Sequence, residues 1–205
     1  MAPADGQVPQ IVKAPDRILS AATRRIVAVG VASLSMNDVA TEAAVSKALI
    51  HYHFRDKDTL LARLAEKLAT GLAERERAAL AAYENQHSPL AVDALWQWLD
   101  EELRGGTIRV LLELGGHEGP AVRAATMQAR TLRREVAGET IAHLFKILDL
   151  RPRVPFPLLA QVVVAFIDGL ALEVPAGAPD AESDVMRSPR VAFDVFWLAM
   201  LNLAE

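Results

Sequence analysis

Residues Ser35 to Lys57, SMNDVATEAAVSKALIHYHFRDK, constrain this chain most, because they suit little other than two short helices meeting at a tight turn. Ser35 is a good N-cap and Asp38 stands three residues on, a variant of the capping box. Met36, Val39, Ala40 and Ala43 then fall on one apolar stripe. A second helix starts afresh at Ser46, with Val45 before it and Ile50 at the fourth helical position, the pair that a hydrophobic staple brings together. Packing therefore fixes the angle at which this second helix leaves the turn.

At about 100° per residue, Ile50 and Phe54 share the buried side of the second helix, and Ala48, Leu49, His51 and Tyr52 take the outer arc. Lys47 flanks that arc. Leu49 and Ala48 are poor choices for a face that meets only water. They suit close approach to base edges, where an apolar side chain touches a thymine methyl, and His51 and Tyr52 have hydrogens to donate to bases or phosphates. Such a pair of helices is a probe for the DNA major groove. The alternative is a plain helical hairpin with a solvated outer face.

With those residues in view, the stretch from about Ile18 to Leu64 resembles the DNA-binding domain of the TetR (tetracycline repressor) family of bacterial regulators. A supporting first helix carries Ile18, Ala22, Ile26 and Val29 and ends at Gly30, and the third helix closes on Tyr52, His53, Phe54, Arg55, Asp56 and Lys57, similar to the family's Tyr-His-Phe-x-x-Lys. The resemblance implies that Ser46, Lys47, Ala48, His51 and Tyr52 face DNA while His53 and Lys57 hold phosphates. Ser35 and Leu49 complete the candidate DNA-binding set. Two positions depart from the pattern: Ala44 stands where Gly is usual in the turn, and His51 where Tyr is common. A single strained residue costs only about 1 to 3 kcal/mol, so the fold survives the first.

The 205 residues are 52% apolar, enough to bury a sizeable core in one large or two modest domains. Aromatic content is 5% and no stretch alternates apolar and polar residues between turn signals, so an all-α fold of about nine helices is expected. The absence of cysteine excludes disulfides, thiolate catalysis and cysteine-bound zinc, and suits a reducing cytoplasm. The first residues lack the basic-then-apolar order of a signal peptide, and the most apolar run, Leu158 to Leu172, is shorter than the roughly 20 residues of a membrane span and carries Gln161 and Asp168. Net charge is −4, yet it divides into +2 up to Lys67 and −6 beyond. Phosphate attraction depends on such local cations as Lys47, Arg55 and Lys57 rather than on the total.

Three segments follow from the punctuation. Residues 1–14 read as a mobile arm, 15–62 as a three-helix helix-turn-helix domain, and 63–205 as a larger helical domain for ligand binding and dimerisation. A fourth helix capped by Asp56 runs through Leu60, Leu61, Leu64 and Leu68 to a break at Gly71 and resumes towards Tyr83. Ser88-Pro89 opens a fifth, and Gly105-Gly106 with Gly115-Gly116 isolates Thr107 to Leu114 as a short sixth helix able to shift as a unit. A seventh runs from Pro120 to about Leu148 and an eighth from Pro157 to Glu173; an acidic loop, 174–187, precedes a last helix begun by Ser188-Pro189. That helix is apolar nearly all round, so most of its sides must be covered.

The economical cover is a second copy of the chain through a four-helix interface, as family resemblance also implies, with Val162, Phe166, Gly169, Phe193, Phe196, Trp197, Met200 and Leu201 as candidates. A central place in a monomer's core is the alternative. The resemblance further implies an effector pocket, for which Trp96, Leu99, Leu103, Leu112, Met127, Thr131, Phe145 and Phe166 are apolar candidates, each also suited to ordinary core. Glu113 and His117, four apart around the glycine break, are candidate polar anchors or simply solvated.

The expected partners are a double-stranded operator, a second copy and a small apolar or aromatic inducer, with no membrane, cofactor or metal. Enzyme constellations are missing: position 121 after His117-Glu118 is Ala, so no second zinc ligand follows, and there is no nucleophile elbow, phosphate loop or dinucleotide fingerprint. His51 and His53 fall on different helix faces. Control by a protein partner, or activation in place of repression, is equally compatible with the residues.

Overall fold

Each run of helically spaced apolar residues becomes a helix in the computed structural model, which describes residues 13–81, 83, 90–174 and 188–202. The elements are α1 (Ala14–Val29), α2 (Met36–Glu42), α3 (Lys47–His53), α4 (Lys57–Ala81), α5 (Leu90–Gly105), α6 (Thr107–Gly115), α7 (Pro120–Ile147), α8 (Phe156–Glu173) and α9 (Pro189–Leu201). No strand occurs among the described residues. The arm up to residue 12, the Ser88-Pro89 start of α5 and the loop at 175–187 lie outside them.

Local chemistry sets the ends. Pro15 sits in the first turn of α1, where its missing N–H is no loss, and Gly30 closes the helix at φ 78°. Asp56 Oδ1 accepts from the Thr59 N–H at 2.7 Å at the start of α4, and this backbone hydrogen bond, chiefly, holds the Asp56 carboxyl below its ordinary pKa. Gly106, at φ 71°, turns α5 into α6. The expected interruption at Gly71 does not occur: α4 runs unbroken for 25 residues. A glycine in a helix interior costs about 1 kcal/mol, and burial of Leu60, Leu61, Leu64 and Leu72 along the same helix outweighs it, at about 1.5 to 3 kcal/mol per side chain.

Helix α4 joins two regions. Its first half completes a head with α1, α2 and α3, in which Ile18, Ile26, Ile50 and Phe54 are buried. Its second half packs along α7, which packs in turn on α8, with α5 and α6 against the same layer. Through Phe193 and Phe196, α9 adds ring contacts to Trp96 of α5 and Phe166 of α8. The buried polar residues Glu76, Glu102, Thr107, Thr126, Arg133 and Thr140 all belong to this body. At 18 residues and mean hydropathy 1.7, α8 is long and apolar enough to cross a membrane by length and composition alone. Its Asp168, however, is ion-paired at 2.6 Å with Arg133 of α7.

Candidate nucleic-acid interface and effector cavity

The turn between α2 and α3 is held from outside. Ala44 adopts φ 50°, the left-handed conformation that favours glycine, and the Arg17 guanidinium of α1 donates to the carbonyls of Ala43 (2.7 Å) and Ala44 (3.2 Å). Both caps form as the residues dictate. Ser35 Oγ accepts from the Asp38 N–H at 3.1 Å and donates to Asp38 Oδ2 at 2.7 Å, and Ser46 Oγ accepts from the Leu49 N–H at 3.1 Å. Each such cap contributes about 1 kcal/mol. With Ile50 fully buried, the helix cannot roll, and Ser46, Lys47, Ala48, His51 and Tyr52 stand exposed on one surface.

Tyr52 is the most outstanding of them, 82% exposed, with its ring edge-on to His53 at 5.0 Å. Apart from that ring contact it is left to solvent. Leu49 and His53 are half-buried, and His51 Nδ1 lies 3.4 Å from the Arg55 carbonyl. Besides Ser46, whose hydroxyl caps α3, two more candidates already have partners. Ser35 is engaged in its cap, and Lys57 Nζ donates to the Val31 carbonyl at 3.1 Å, tying α4 to the loop after α1. Lys57 therefore braces the head in this conformation instead of extending freely to a phosphate.

In sequence, residues 18–64 match the family model described as bacterial regulatory proteins, tetR family. The head is a tetR-family DNA-binding domain. Among curated proteins none matches the chain. Solved structures resemble it along most of its length: the reduced form of NemR from E. coli (14% identity, TM-score 0.69, 94% of this chain and 98% of that one), a TetR-family regulator from Streptomyces coelicolor (21%, 0.62, 93% and 93%), and the SmeT–triclosan complex (17%, 0.63, 91% and 90%). These identities establish a shared fold. The family and the neighbours so named are transcriptional regulators, not enzymes.

Behind the tetR-family head, a cavity of about 20 Å³ lies among α4, α5, α7, α8 and α9. Of the sequence candidates for an effector pocket, Leu99 and Phe166 line it. Leu103 and Phe145 are buried elsewhere in the core, Phe145 edge-on to Phe156, and Leu112 packs half-buried against the core. Trp96 lies beside the cavity-lining Phe193 at 5.2 Å, with the Arg190 guanidinium over its ring at 5.6 Å. Two candidates are corrected: Met127 is 70% exposed and Thr131 is exposed with its hydroxyl on the Met127 carbonyl, because this side of α7 faces away from the layer.

Glu113 and His117 are neither cavity anchors nor merely solvated. Glu113 Oε2 accepts from the Val31 N–H of the head at 3.2 Å. His117 Nδ1 accepts from the Gly119 N–H at 3.1 Å and lies 4.0 Å from Asp58 Oδ1. Asp58, in the first turn of α4, accepts from the N–H groups of Ala121 (3.1 Å) and Val122 (3.4 Å), so a head-proximal carboxylate caps α7. The head thus meets α6 and α7 through directional bonds.

The dimer candidates divide. Phe193, Trp197 and Met200 are buried within the single chain, turned into its own core. Phe166 and Phe196 are half-buried and stacked at 4.0 Å and 2°, and Leu201 is partly covered. Val162 is exposed, and a Cβ on Gly169 would meet nothing within 4 Å. Residues not among those candidates, Leu158 and Leu172 on α8 and Val195 and Leu198 on α9, are exposed apolar side chains beside them. On α8, Leu158, Val162, Gly169 and Leu172 fall within one stripe at helical spacing.

Sequence reasoning also missed Arg17, Asp58, Glu76, Trp98 and the Arg133–Asp168 pair. An Asp in an otherwise apolar α8 was a signal that a cation awaits it. Nothing local marks Glu76 out from the other acids of α4.

Proposed function

We propose that the chain is a ligand-responsive repressor of the cytoplasm that binds a pseudo-palindromic operator as a homodimer, with residues 15–62 as DNA-binding domain, 63–205 as ligand-binding and dimerisation domain, and 1–14 as an arm. The observation that carries the reading is the α3 surface: a helix immobilised by Ile50 and Ser46 that displays Lys47, Ala48, His51 and Tyr52 outward. One such helix per subunit enters the major groove of each half-site, the two sites being about one helical turn or a little more apart. Tyr52 and His51 contact bases or phosphates; Lys47 and His53 contact phosphates, and Lys57 does so if its bond to Val31 is exchanged.

The exposed stripe of α8 with Val195 and Leu198 of α9 supports pairing with a second copy, since large apolar patches left to water mark interfaces. An effector in the body would favour a spacing of heads unsuited to the operator. A coupling free energy of about 1 to 3 kcal/mol gives a 5- to 150-fold loss of DNA affinity. We assign transmission to α6, whose Glu113 is bonded to Val31. That the SmeT neighbour is a complex with triclosan supports a small-molecule effector.

Titrating labelled DNA from upstream of the protein's own gene with pure protein at several salt concentrations tests this. A specific, salt-sensitive complex is expected. Tyr52→Ala should abolish it without loss of helix content, and Lys47→Ala should lower the salt slope by about 1 per subunit. Sedimentation should give twice the chain mass at micromolar concentration. A monomer, or no preference for any upstream sequence, overturns the proposal. Gly106→Ala with Gly115→Ala should blunt effector response with operator affinity nearly intact, and an unchanged response removes α6 as transmitter.

A further inference from the structure

Among the described residues, the buried charges of this body are ion-paired except at Glu76. Glu102 is matched by Arg75, and Arg133 by Asp168. Glu76 is 7% exposed, lies in the cavity wall and has only the Thr140 hydroxyl as a hydrogen-bonding partner among the described residues. The charged groups that act on it, Arg133 and Arg77 favouring its charge and Glu139 opposing it, are engaged elsewhere: Arg77 of α4 is paired at 2.8 Å with Glu139 of α7, and Arg133 of α7 with Asp168 of α8. His143 of α7 lies across the outer pocket that Glu76 also lines, and the walls from α5 and α9 contribute no titratable side chain to the cavity. Among the described residues Glu76 has no ion-pair partner of its own, and Arg133 and Arg77, which favour its charged form, are each paired with another carboxylate.

The rest of the lining says what kind of cation fits. Trp98, Phe166, Phe193, Phe196 and Trp197 put five aromatic rings around the cavity, and ring faces attract a desolvated cation. The buried Trp98 Nε1 has no hydrogen-bond partner, so the wall holds an unused donor as well as an unmatched acid. On its other side, Glu76 with Thr140 faces an open pocket of about 230 Å³ rimmed by Arg77, Glu139 and His143. The cavity itself, at about 20 Å³, has room for little more than a water molecule. Phe166 and Phe196, half-buried and stacked on each other, form one side of its wall.

We propose that this cavity, widened by displacement of its lining rings, takes a small aryl-alkyl ammonium whose nitrogen rests on the Glu76 carboxylate. An anionic guest would meet like charge, and a neutral apolar one would leave the acid unmatched. The inference rests on the reading of the body as an effector domain and names the effector's chemical class.

Calorimetric titration of the full chain with 2-phenylethylammonium, 2-phenylethanol and phenylacetate tests it at matched size. At pH 8 the ammonium should bind about tenfold or more tighter than the alcohol, with phenylacetate weakest, and Glu76→Gln should erase that preference while circular dichroism stays unchanged. Burial raises the Glu76 pKa to about 7, so the carboxyl must release a proton to pair with the guest at low pH. The ammonium should therefore bind about tenfold more weakly at pH 6 than at pH 8, and the alcohol should show no such dependence. Equal affinities for ammonium and alcohol, a preference that survives in Glu76→Gln, or no binding of any of the three overturns the inference. Tight, Glu76-dependent binding of the ammonium that leaves operator affinity unmoved would support the inference and overturn the effector reading instead.

Discussion

Head and body solve opposite problems with the same element. Among the described residues the head buries only apolar side chains, such as Ile18, Ile26, Ile50 and Phe54, and displays Lys47, His51 and Tyr52 on the surface of α3. The body buries Glu76, Glu102, Arg133 and Thr140 and leaves Leu158, Leu172, Val195 and Leu198 in water. Burying a charge is costly unless it is paired, and exposing an apolar stripe forgoes hydrophobic stabilisation. Glu102 and Arg133 meet that cost with Arg75 and Asp168, so Glu76 and the exposed stripe are the departures on which the proposals for the body rest. In the head, the proposed DNA-binding surface is laid over a finished core and needs no buried charge.

That contrast fails or sharpens in graded ways. The largest effect separates folding from recognition: Phe145→Ala in the body should lower unfolding free energy by about 3 to 5 kcal/mol in denaturant melts. Tyr52→Ala in the head should stay within about 0.5 kcal/mol while losing operator binding. Equal destabilisation by both would mean that the α3 surface is packed after all.

Next comes the buried acid. Burial raises the Glu76 carboxyl from its unfolded-state value of 4.5 to about 7, so the folded chain binds more protons than the unfolded chain between those values. Stability contributed by the protonated acid is complete at low pH and is lost as pH rises through that window, by about 2 to 3 kcal/mol. Melts of wild type and Glu76→Gln at pH 5 and pH 8 should show the variant gaining on wild type as pH rises; parallel pH curves would remove the burial argument.

The junction is smaller in effect and more specific. Asp58→Ala removes the cap on α7 and should cost about 1 kcal/mol. A Cβ at Gly119 would lie 1.7 Å from Asp58 Oδ1, so Gly119→Ala must displace the same carboxylate. The two should be non-additive, Gly119→Ala costing less in the Asp58→Ala background. Simple additivity would show that head and body are not joined there. Smallest of all, Ala44→Gly relieves a left-handed alanine and should stabilise by no more than about 1 kcal/mol, with operator affinity kept.

The residues themselves forecast the head almost in full because its signals are local. Ser35 with Asp38, Ser46 with Leu49, and Val45 before Ile50 act across one helical turn, and the departure at Ala44 correctly marked a turn that calls for glycine. The helix order was equally readable, apart from the break wrongly expected at Gly71, where long-range packing overrides a local propensity. The body's site was not readable from spacing. Met127 and Thr131 have the residue types of a pocket but point outward, and Glu76 looks like any acid on a long helix yet lies in the cavity wall.

Capping, periodicity and composition thus determined on their own that this chain is helical, where its helices begin, and which face of α3 is left outward. Only the tertiary structure decided that Glu76 is buried with no ion-pair partner among the described residues, that Arg133 meets Asp168, that Asp58 caps α7 and that Lys57 braces Val31. These partners are 26 to 64 residues apart along the chain. Caps and stripes are written within a turn or two of sequence; a buried charge and its partner are brought together only by how the helices stack.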